Sequence, residues 1–228
     1  PNYTRNGVPK MSQTQIHVLI AAAGSGTRFD NGTDLPKQYT PLNGKTILRR
    51  TVEIFANMDE ITSIQCIVNP EHNDLYKKAI EGLKINEHAT GSNSRKKSIY
   101  NGLKSLPNVK DKDIILIHDA ARPLASPHDI RTLIKAMNNN KAATLATPIA
   151  ETLRKSNNDN CGDLVSRDNL WAMQTPQAFR YAGIVKAHEA ANAETEYTDD
   201  TSLATAIGID VAIIKGSSDN FKITTMQD

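Results

Sequence analysis

The sequence is poor in cysteine and has no long hydrophobic run. Its two cysteines, Cys66 and Cys161, lie far apart, with no second cysteine or histidine at ligand spacing. This pattern indicates neither a zinc site nor a disulfide framework, and it is typical of a protein in a reducing compartment. No apolar run approaches the roughly 20 residues that a membrane-spanning helix needs, and no signal-peptide pattern is present. We therefore expect a cytoplasmic protein without a membrane partner.

An excess of charge of one sign is lacking as well. The formal net charge is +2, and the lysines and arginines are spread along the chain. This argues against a nucleic-acid-binding arm, so we expect any anionic ligand to be small.

Charged residues make up 23% and hydrophobic residues 39% of the 228 residues, as in ordinary globular proteins. We expect one domain over residues 11–228, with residues 1–10 a leader or remnant and Met11 the natural start.

Short apolar runs alternate with longer amphipathic segments. The runs are rich in β-branched residues and predict buried strands at 17–23, 61–68, 113–120, 142–149 and 210–216. The segments begin near Ser, Thr, Asn or Asp and predict helices at 46–58, 72–83, 94–106, 126–137 and 198–208. This alternation predicts an α/β fold with a mostly parallel twisted sheet and helices on both faces. Ligands of such folds bind at the carboxyl ends of the strands.

One stretch, residues 151–179, has no helical period. It consists of two extended polar segments around a turn rich in Asn, Asp and Gly, which predicts a projecting β-hairpin. A disordered surface loop is the alternative. Trp171 and the run AMQTPQAF favour a packed role for this stretch.

A glycine-rich loop, AAAGSGTRF, follows the first predicted strand. Gly24 and Gly26 allow the backbone to approach a phosphate group closely. A dinucleotide fingerprint would need a third glycine where Phe29 stands, and a P-loop would need one where Tyr39 stands. The loop therefore predicts neither of these two sites.

Two cations make the loop more informative. Arg28 and Lys37, together with glycine amides, can surround the oxygens of a triphosphate. Solvated surface cations are the alternative interpretation. The polar segment at 31–34 predicts that this loop is mobile and that residues 27–36 fold over the phosphates.

The motif HDAARP ends the third predicted strand, at the carboxyl edge of the sheet. There Asp119 could bind a magnesium ion or a substrate hydroxyl, and Arg122 could bind a phosphate group. A local ion pair is an equally good interpretation.

Other polar residues lie near predicted element ends. A base edge or a helix N-terminus could be bound by Ser92, Asn93, Arg95 and Ser98, and helix capping is favoured. Single motifs contain Thr175 in QTPQ, Thr198 in YTDD and Lys222 in NFKIT. No nucleophile elbow and no paired histidines are present, so hydrolytic and zinc chemistries are unsupported.

Taken in order, the motifs AAAGSGTRF, LPKQY, HDAARP, RDNLW, QTPQ, TDD and NFKIT resemble the 2-C-methyl-D-erythritol 4-phosphate cytidylyltransferase family. The resemblance runs from about Val18 to Thr225. It implies a three-layer Rossmann-like nucleotide-transferase fold with a protruding β-arm at about 151–174 that clasps a second subunit in a homodimer. The implied reaction joins CTP and methylerythritol phosphate and releases pyrophosphate, with Mg²⁺ as cofactor.

The resemblance also implies residue roles. The CTP site would comprise Ala22, Ala23, Gly24, Ser25, Gly26, Arg28, Lys37, Ser92, Asn93 and Ser98. The methylerythritol phosphate site would comprise Asp119, Arg122, Thr175, Thr198 and Lys222, with Thr152 and Arg167 supplied by the partner's arm. Arg28, Lys37 and Lys222 would be catalytic. Asp119 is a candidate Mg²⁺ ligand, although the CTP phosphates would provide most of the ligands of the ion.

Several alternatives stay open at this point. A cytidylyltransferase for a pentitol phosphate such as ribitol 5-phosphate would share these motifs, and so would a non-catalytic nucleotide-sensing dimer. Where this chain has Ala21, the family often has proline, and where it has residues 91–93, the family has a Gly-Gly-Asp-like sequence. Ligand contacts through these side chains are therefore in doubt. FKITT and QTPQAF are similar to versions fused to a cyclase domain. A closing helix or a cyclase domain after Asp228 is therefore a further expectation.

Overall fold

The computed structural model describes residues 14–24, 35–192, 195 and 197–228. The strands are β1 (Ile16–Ala22), β2 (Pro41–Leu42), β3 (Lys45–Thr46), β4 (Ser63–Val68), β5 (Ala89–Thr90), β6 (Ile114–Asp119), β7 (Ala142–Pro148), β8 (Leu153–Asn157), β9 (Asn160–Val165), β10 (Trp171–Arg180) and β11 (Val211–Lys215). The helices are α1 (Ile47–Ala56), α2 (Asn73–Ile80), α3 (Arg95–Ser105), α4 (Pro127–Ala136), α5 (Tyr181–Ala190) and α6 (Asp200–Ala206). The predicted leader at 1–10 lies outside the described residues.

A seven-stranded sheet forms the centre of the structure, in the order β11-β7-β10-β6-β1-β4-β5. Neighbouring strands run parallel except β10, which is antiparallel to both β6 and β7. Hydrophobic side chains of α1, α2 and α4 pack on one face, and those of α3, α5 and α6 pack on the other. The predicted α/β fold, with a mostly parallel sheet between two helical layers, is confirmed.

Strand β1 shows why the sequence folds in this way. Val18 and Ile20 belong to the core on one face, while Leu19 belongs to the core on the other. A strand covered on both faces needs apolar residues at successive positions, which explains its continuous hydrophobic run. The other four predicted strands are also present, within two residues of the predicted bounds.

Three helices begin at the polar residues that their sequences predicted. The side chains of Thr46, Ser94 and Asp199 accept hydrogen bonds from backbone N–H groups in the first turns of α1, α3 and α6. Such caps satisfy donors that have no partner within the helix. Among the described residues, no helix combines the length and apolarity needed to cross a membrane.

The predicted hairpin is present as β8 and β9, but its predicted end is wrong. Asn158 and Asp159 join the two strands with positive φ angles of 47° and 65°, as a tight hairpin turn requires. Residues 171–174 belong instead to β10, inside the central sheet. Because β10 buries polar residues such as Gln174 and Gln177, its sequence does not show the usual pattern of a core strand. Helix α5 directly follows it and was not predicted.

Candidate functional site

Two adjoining cavities open where the strands β1, β4 and β6 end. The first has a volume of about 500 Å³ and the second about 350 Å³. Seven residues of the predicted CTP site line the first cavity: Ala22, Ala23, Gly24, Lys37, Ser92, Asn93 and Ser98. The residues of the predicted methylerythritol phosphate site in this chain line the second: Asp119, Arg122, Thr175, Thr198 and Lys222. Ser25, Gly26, Arg28 and the segment 31–34 lie outside the described residues.

One wall of the first cavity is the backbone that follows β1. The buried Nε2 of Gln38 donates hydrogen bonds to the carbonyl oxygens of Ala22 at 2.9 Å and of Gly24 at 3.1 Å. These bonds fix the path of the chain as it leaves the sheet. Gln38 lies within the LPKQY motif, but sequence reasoning gave it no role because its partners are backbone atoms.

The opposite wall is the loop that leads into α3. The Oγ of Ser98 accepts a hydrogen bond from the N–H of Ser92 at 2.9 Å and donates one to the carbonyl of Ser94 at 2.8 Å. A Cβ atom on Gly91 would lie only 2.3 Å from the Cβ of Ala23. The two walls therefore touch at Gly91, and a side chain there would push them apart.

Four charged side chains meet between the two cavities. The Nζ of Lys222 lies 2.9 Å from Oδ2 of Asp119, and the Nε of Arg122 lies 3.6 Å from the same oxygen. Arg95 approaches the other oxygen, with Nη2 3.9 Å from Oδ1. Burial alone raises the pKa of Asp119, but the charges of Lys222, Arg95 and Arg122 outweigh it and hold that pKa well below its usual range. Asp119 is therefore ionised near pH 7.

The carboxylate is positioned through its own backbone. The N–H of Asp119 donates to Oγ1 of Thr175 at 3.0 Å, and that hydroxyl lies 3.1 Å from Nδ1 of His118. The Nε2 of His118 lies 3.1 Å from the carbonyl of Arg122, which can only accept, so Nε2 carries the proton and Nδ1 accepts from Thr175. Burial lowers the pKa of His118 to about 4, so the imidazole is neutral near pH 7.

The segment that carries Lys222 is attached to the site by several contacts. Ile223 packs with Ile47 and Ala121, and its N–H donates to the carbonyl of Ala121 at 2.9 Å. The Nζ of Lys37 donates to the carbonyl of Ile223 at 2.8 Å. The two lysines are 185 positions apart in sequence, yet both line the first cavity because of these contacts.

Polar groups dominate the second cavity. Its walls include the hydroxyl groups of Thr175, Thr198 and Ser202 and the carboxylate of Asp199. The Nη1 of Arg122 donates to the carbonyl of Asn220 at 2.6 Å. Hydroxyl groups beside carboxylates and a guanidinium can bind a ligand that carries both hydroxyl and phosphate groups.

Two predicted residues lie apart from both cavities. Thr152 is exposed just before β8, and Arg167 is exposed after β9 and donates to the carbonyl of Ala150. Neither lines the cavities found among the described residues. Within this chain, the structure does not bring them to the site.

The described residues do not fit a magnesium ion held by protein ligands alone. They contain no group of three Asp, Glu, His or Cys residues that could hold a metal ion. Asp119 lies within 4 Å of three cationic side chains. Magnesium prefers several oxygen ligands in octahedral geometry, and a single carboxylate surrounded by cations does not supply them.

Comparison with known proteins identifies relatives with this fold. A family model described as 2-C-methyl-D-erythritol 4-phosphate cytidylyltransferase (IspD) matches residues 16–228. A crystal structure of that cytidylyltransferase from Francisella tularensis is 32% identical and superposes with a TM-score of 0.81, covering 94% of this chain and 96% of the other.

Curated relatives are of two lengths. A 2-C-methyl-D-erythritol 4-phosphate cytidylyltransferase of Desulforamulus reducens is 38% identical over an alignment of 221 positions that covers 93% of this chain and 92% of that protein. The bifunctional enzyme IspD/IspF of Paramagnetospirillum magneticum is 41% identical over 211 residues, which are 92% of this chain and 54% of that protein. The chain spans about half the length of such bifunctional relatives. Since the family model covers the whole sheet, the chain belongs to the 2-C-methyl-D-erythritol 4-phosphate cytidylyltransferase family.

Proposed function

We propose that the chain joins CTP and 2-C-methyl-D-erythritol 4-phosphate to give 4-diphosphocytidyl-2-C-methyl-D-erythritol and pyrophosphate. The observation that carries this proposal is the position of the Asp119–Lys222 pair, which lines both cavities. A cation at this junction can contact two anionic ligands at once. Membership of the family supports the choice of the two substrates.

CTP would occupy the first cavity. The cytidine would lie between the backbone of 22–24 and the loop at Ser92, Asn93 and Ser98. The triphosphate would extend toward Lys37 and Lys222, which line the same cavity. Ser25, Gly26 and Arg28 complete the proposed phosphate site on the strength of the family motif.

Methylerythritol phosphate would occupy the second cavity. Its hydroxyl groups suit Asp119, Thr175 and Thr198, and its phosphate suits Arg122 and Lys222, because guanidinium and ammonium groups bind phosphate oxygens strongly.

The reaction is an in-line displacement at the α-phosphorus of CTP. An oxygen of the substrate phosphate forms the new P–O bond, the bond to the β-phosphate breaks, and pyrophosphate leaves with the electron pair. The nucleophile is already an anion, so no strong base is needed. The main obstacle is repulsion between two phosphorylated reactants. Lys37, Lys222 and Arg28 would reduce it by binding the charge that spreads over the transition state.

Magnesium enters this proposal as part of the substrate, in the form of Mg·CTP. The phosphate oxygens provide the hard ligands that the ion prefers. This assignment agrees with the cationic surroundings of Asp119, which make that carboxylate a counter-ion for Lys222 and the arginines.

We further propose a homodimer in which the partner's arm supplies Thr152 and Arg167. Both residues are exposed and lie beside the hairpin β8–β9. Leu164 on β9 is 64% exposed, which suits a surface that a second subunit covers. The cytoplasmic location is part of the same proposal.

Release of pyrophosphate from Mg·CTP tests the function. We expect turnover with methylerythritol phosphate that is much faster than with ribitol 5-phosphate. A preference for ribitol 5-phosphate would transfer the assignment to a pentitol phosphate. CTP binding without product from either acceptor would instead favour a nucleotide-sensing dimer.

A further inference from the structure

Arg95 lies at the start of α3 and lines both cavities. Its Nη1 donates to Oδ2 of Asp200 at 2.6 Å, and its Nη2 lies 3.9 Å from Oδ1 of Asp119. The cap of α3 is Ser94, so Arg95 does not serve the helix N-terminus. Its guanidinium instead lies between two carboxylates that belong to different elements.

Asp200 is a fixed anchor for this guanidinium. It is fully buried, and its Oδ1 lies 3.1 Å from Nε2 of His188. Its N–H donates to Oε1 of Gln177 in β10 at 3.1 Å. A short, charged hydrogen bond to a carboxylate held at these points fixes the guanidinium more firmly than solvent-exposed pairing would.

The other carboxylate, Asp119, has one partner that is less rigid. Lys222 is 40% exposed along its side chain, and its ammonium is a point charge on a flexible stem. Lys222 and Arg122 approach Oδ2, whereas Arg95 approaches Oδ1. The contact from Arg95 therefore opposes rotation of the carboxylate toward the other two cations.

We propose that Arg95 is a positioning residue that, anchored by Asp200, holds the Asp119 carboxylate with Oδ2 toward Lys222 at the junction of the cavities. This inference rests on the proposed function, because it is the acceptor site that Asp119 and Lys222 would form. A planar guanidinium can bind two carboxylates at once, while a lysine ammonium at the same position cannot span them.

Two variants test this role. Arg95→Lys keeps the charge and removes the planar fork. The double variant Arg95→Gln, Asp200→Asn removes both charges, so no unpaired carboxylate is left buried, which would otherwise threaten folding. The matched control is Lys97→Gln, which removes one positive charge from the same turn of α3 at an exposed position outside both cavities.

We expect both Arg95 variants to lower kcat/KM for methylerythritol phosphate by about tenfold to a hundredfold, as misplacement of a binding group by about 1 Å does. For Arg95→Lys, the Kd for CTP, measured by calorimetry, should change by less than about threefold, because the positive charge in the first cavity is kept and the wall at 22–24 and Ser98 is untouched. Lys97→Gln should match the unsubstituted protein in both measurements. In an Asp119→Asn background, Arg95→Lys should add less than about a twofold loss, because its target is already gone.

Thermal unfolding is measured alongside, and if Arg95→Lys lacks a cooperative transition, the double variant decides. If the Arg95 variants fold and keep the kcat/KM of the unsubstituted protein, the proposed role of Arg95 is overturned. The role is also overturned if Arg95→Lys lowers kcat/KM as much in the Asp119→Asn background as it does alone. The unsubstituted protein separates the two proposals. Its failure to turn over methylerythritol phosphate overturns the proposed function, whereas its turnover beside unaffected variants overturns the role of Arg95 alone.

Discussion

The Nζ of Lys222 lies 2.9 Å from Oδ2 of Asp119, although the two residues are 103 positions apart in the sequence. Asp119 ends the central strand β6, while Lys222 follows the edge strand β11. The pair therefore forms only after the sheet and the segment beyond it are both in place. Variants at this contact therefore have to be compared in both stability and activity.

Replacement of Lys222 by alanine should lower kcat by about 10²-fold to 10³-fold, the usual loss for a group that stabilises transition-state charge. The free energy of unfolding should fall by less than about 1 kcal/mol, because the lysine is part-exposed and its pair is screened by solvent. Lys104→Ala is the control, since Lys104 is exposed and pairs with Glu189 at 3.9 Å. Equal kcat values for the two variants would contradict a catalytic role.

Asp119→Asn tests the stabilising effect of the cationic cluster. The folded-state pKa of Asp119 is depressed, so its contribution is present above the unfolded value of about 3.9 and is lost as pH falls below it. We expect the variant to be less stable by about 3 kcal/mol at pH 7. Urea unfolding at pH 7 and pH 5 should give the same difference, and a smaller one below about pH 4. A difference that does not vary over this range would exclude ionisation as its source.

His118 predicts a pH dependence of the same sign, at higher pH than that of Asp119. Its folded-state pKa is about 4, below the unfolded value of about 6.5, so the unfolded chain binds the proton more readily. Stability therefore decreases as the pH falls from about 6.5 to about 4. As the pH falls from 7 to 5, the imidazole should lower the free energy of unfolding by about 2 kcal/mol. His118→Gln does not titrate, so its urea-unfolding free energy should fall by about that much less over the same pH interval. Parallel curves for the two proteins would contradict a buried neutral imidazole.

Gly91→Ala tests the contact between the walls of the first cavity. The new Cβ would lie 2.3 Å from the Cβ of Ala23 and 3.1 Å from the carbonyl oxygen of Val68. Overpacking costs about 1–3 kcal/mol, so we expect the Kd for CTP to rise about tenfold or more in calorimetry. Gly183→Ala on α5 is the control, since its Cβ would meet Ile209 at an ordinary 3.4 Å. A CTP affinity equal to the control's would show that the walls adjust without loss.

Much of this architecture is predictable because the parallel strands are buried on both faces and consist of β-branched residues. Strand β10 is different. Its buried Gln177 donates to Asp199 at 2.8 Å and accepts from the N–H of Asp200. The hydroxyl of its buried Thr175 accepts from the N–H of Asp119 and lies within hydrogen-bond distance of Nδ1 of His118. A strand whose polar residues are satisfied by distant partners has the composition of a surface segment. Its central place could not be predicted from local periodicity.

The candidate site shows the same division. Residues in contiguous motifs, such as Asp119 and Lys222, were predicted because the motifs are specific to the family. Arg95 and Asp200 pair across 105 positions, and neither belongs to a run that signals the other. Gln38 contacts backbone atoms, which leave no trace in a single sequence. Contacts of these kinds require coordinates.

The antiparallel course of β10 makes the arm a removable insertion. Strands β7 and β10 are adjacent, Trp171 pairs with Pro148, and the N–H of Ile149 bonds to the carbonyl of Leu170 at 3.1 Å. The arm therefore leaves and re-enters the sheet at one point, where a short turn could join the two strands directly. We therefore expect changes in the length or sequence of the arm to leave the register of the sheet that carries Asp119 and Thr175 unaltered.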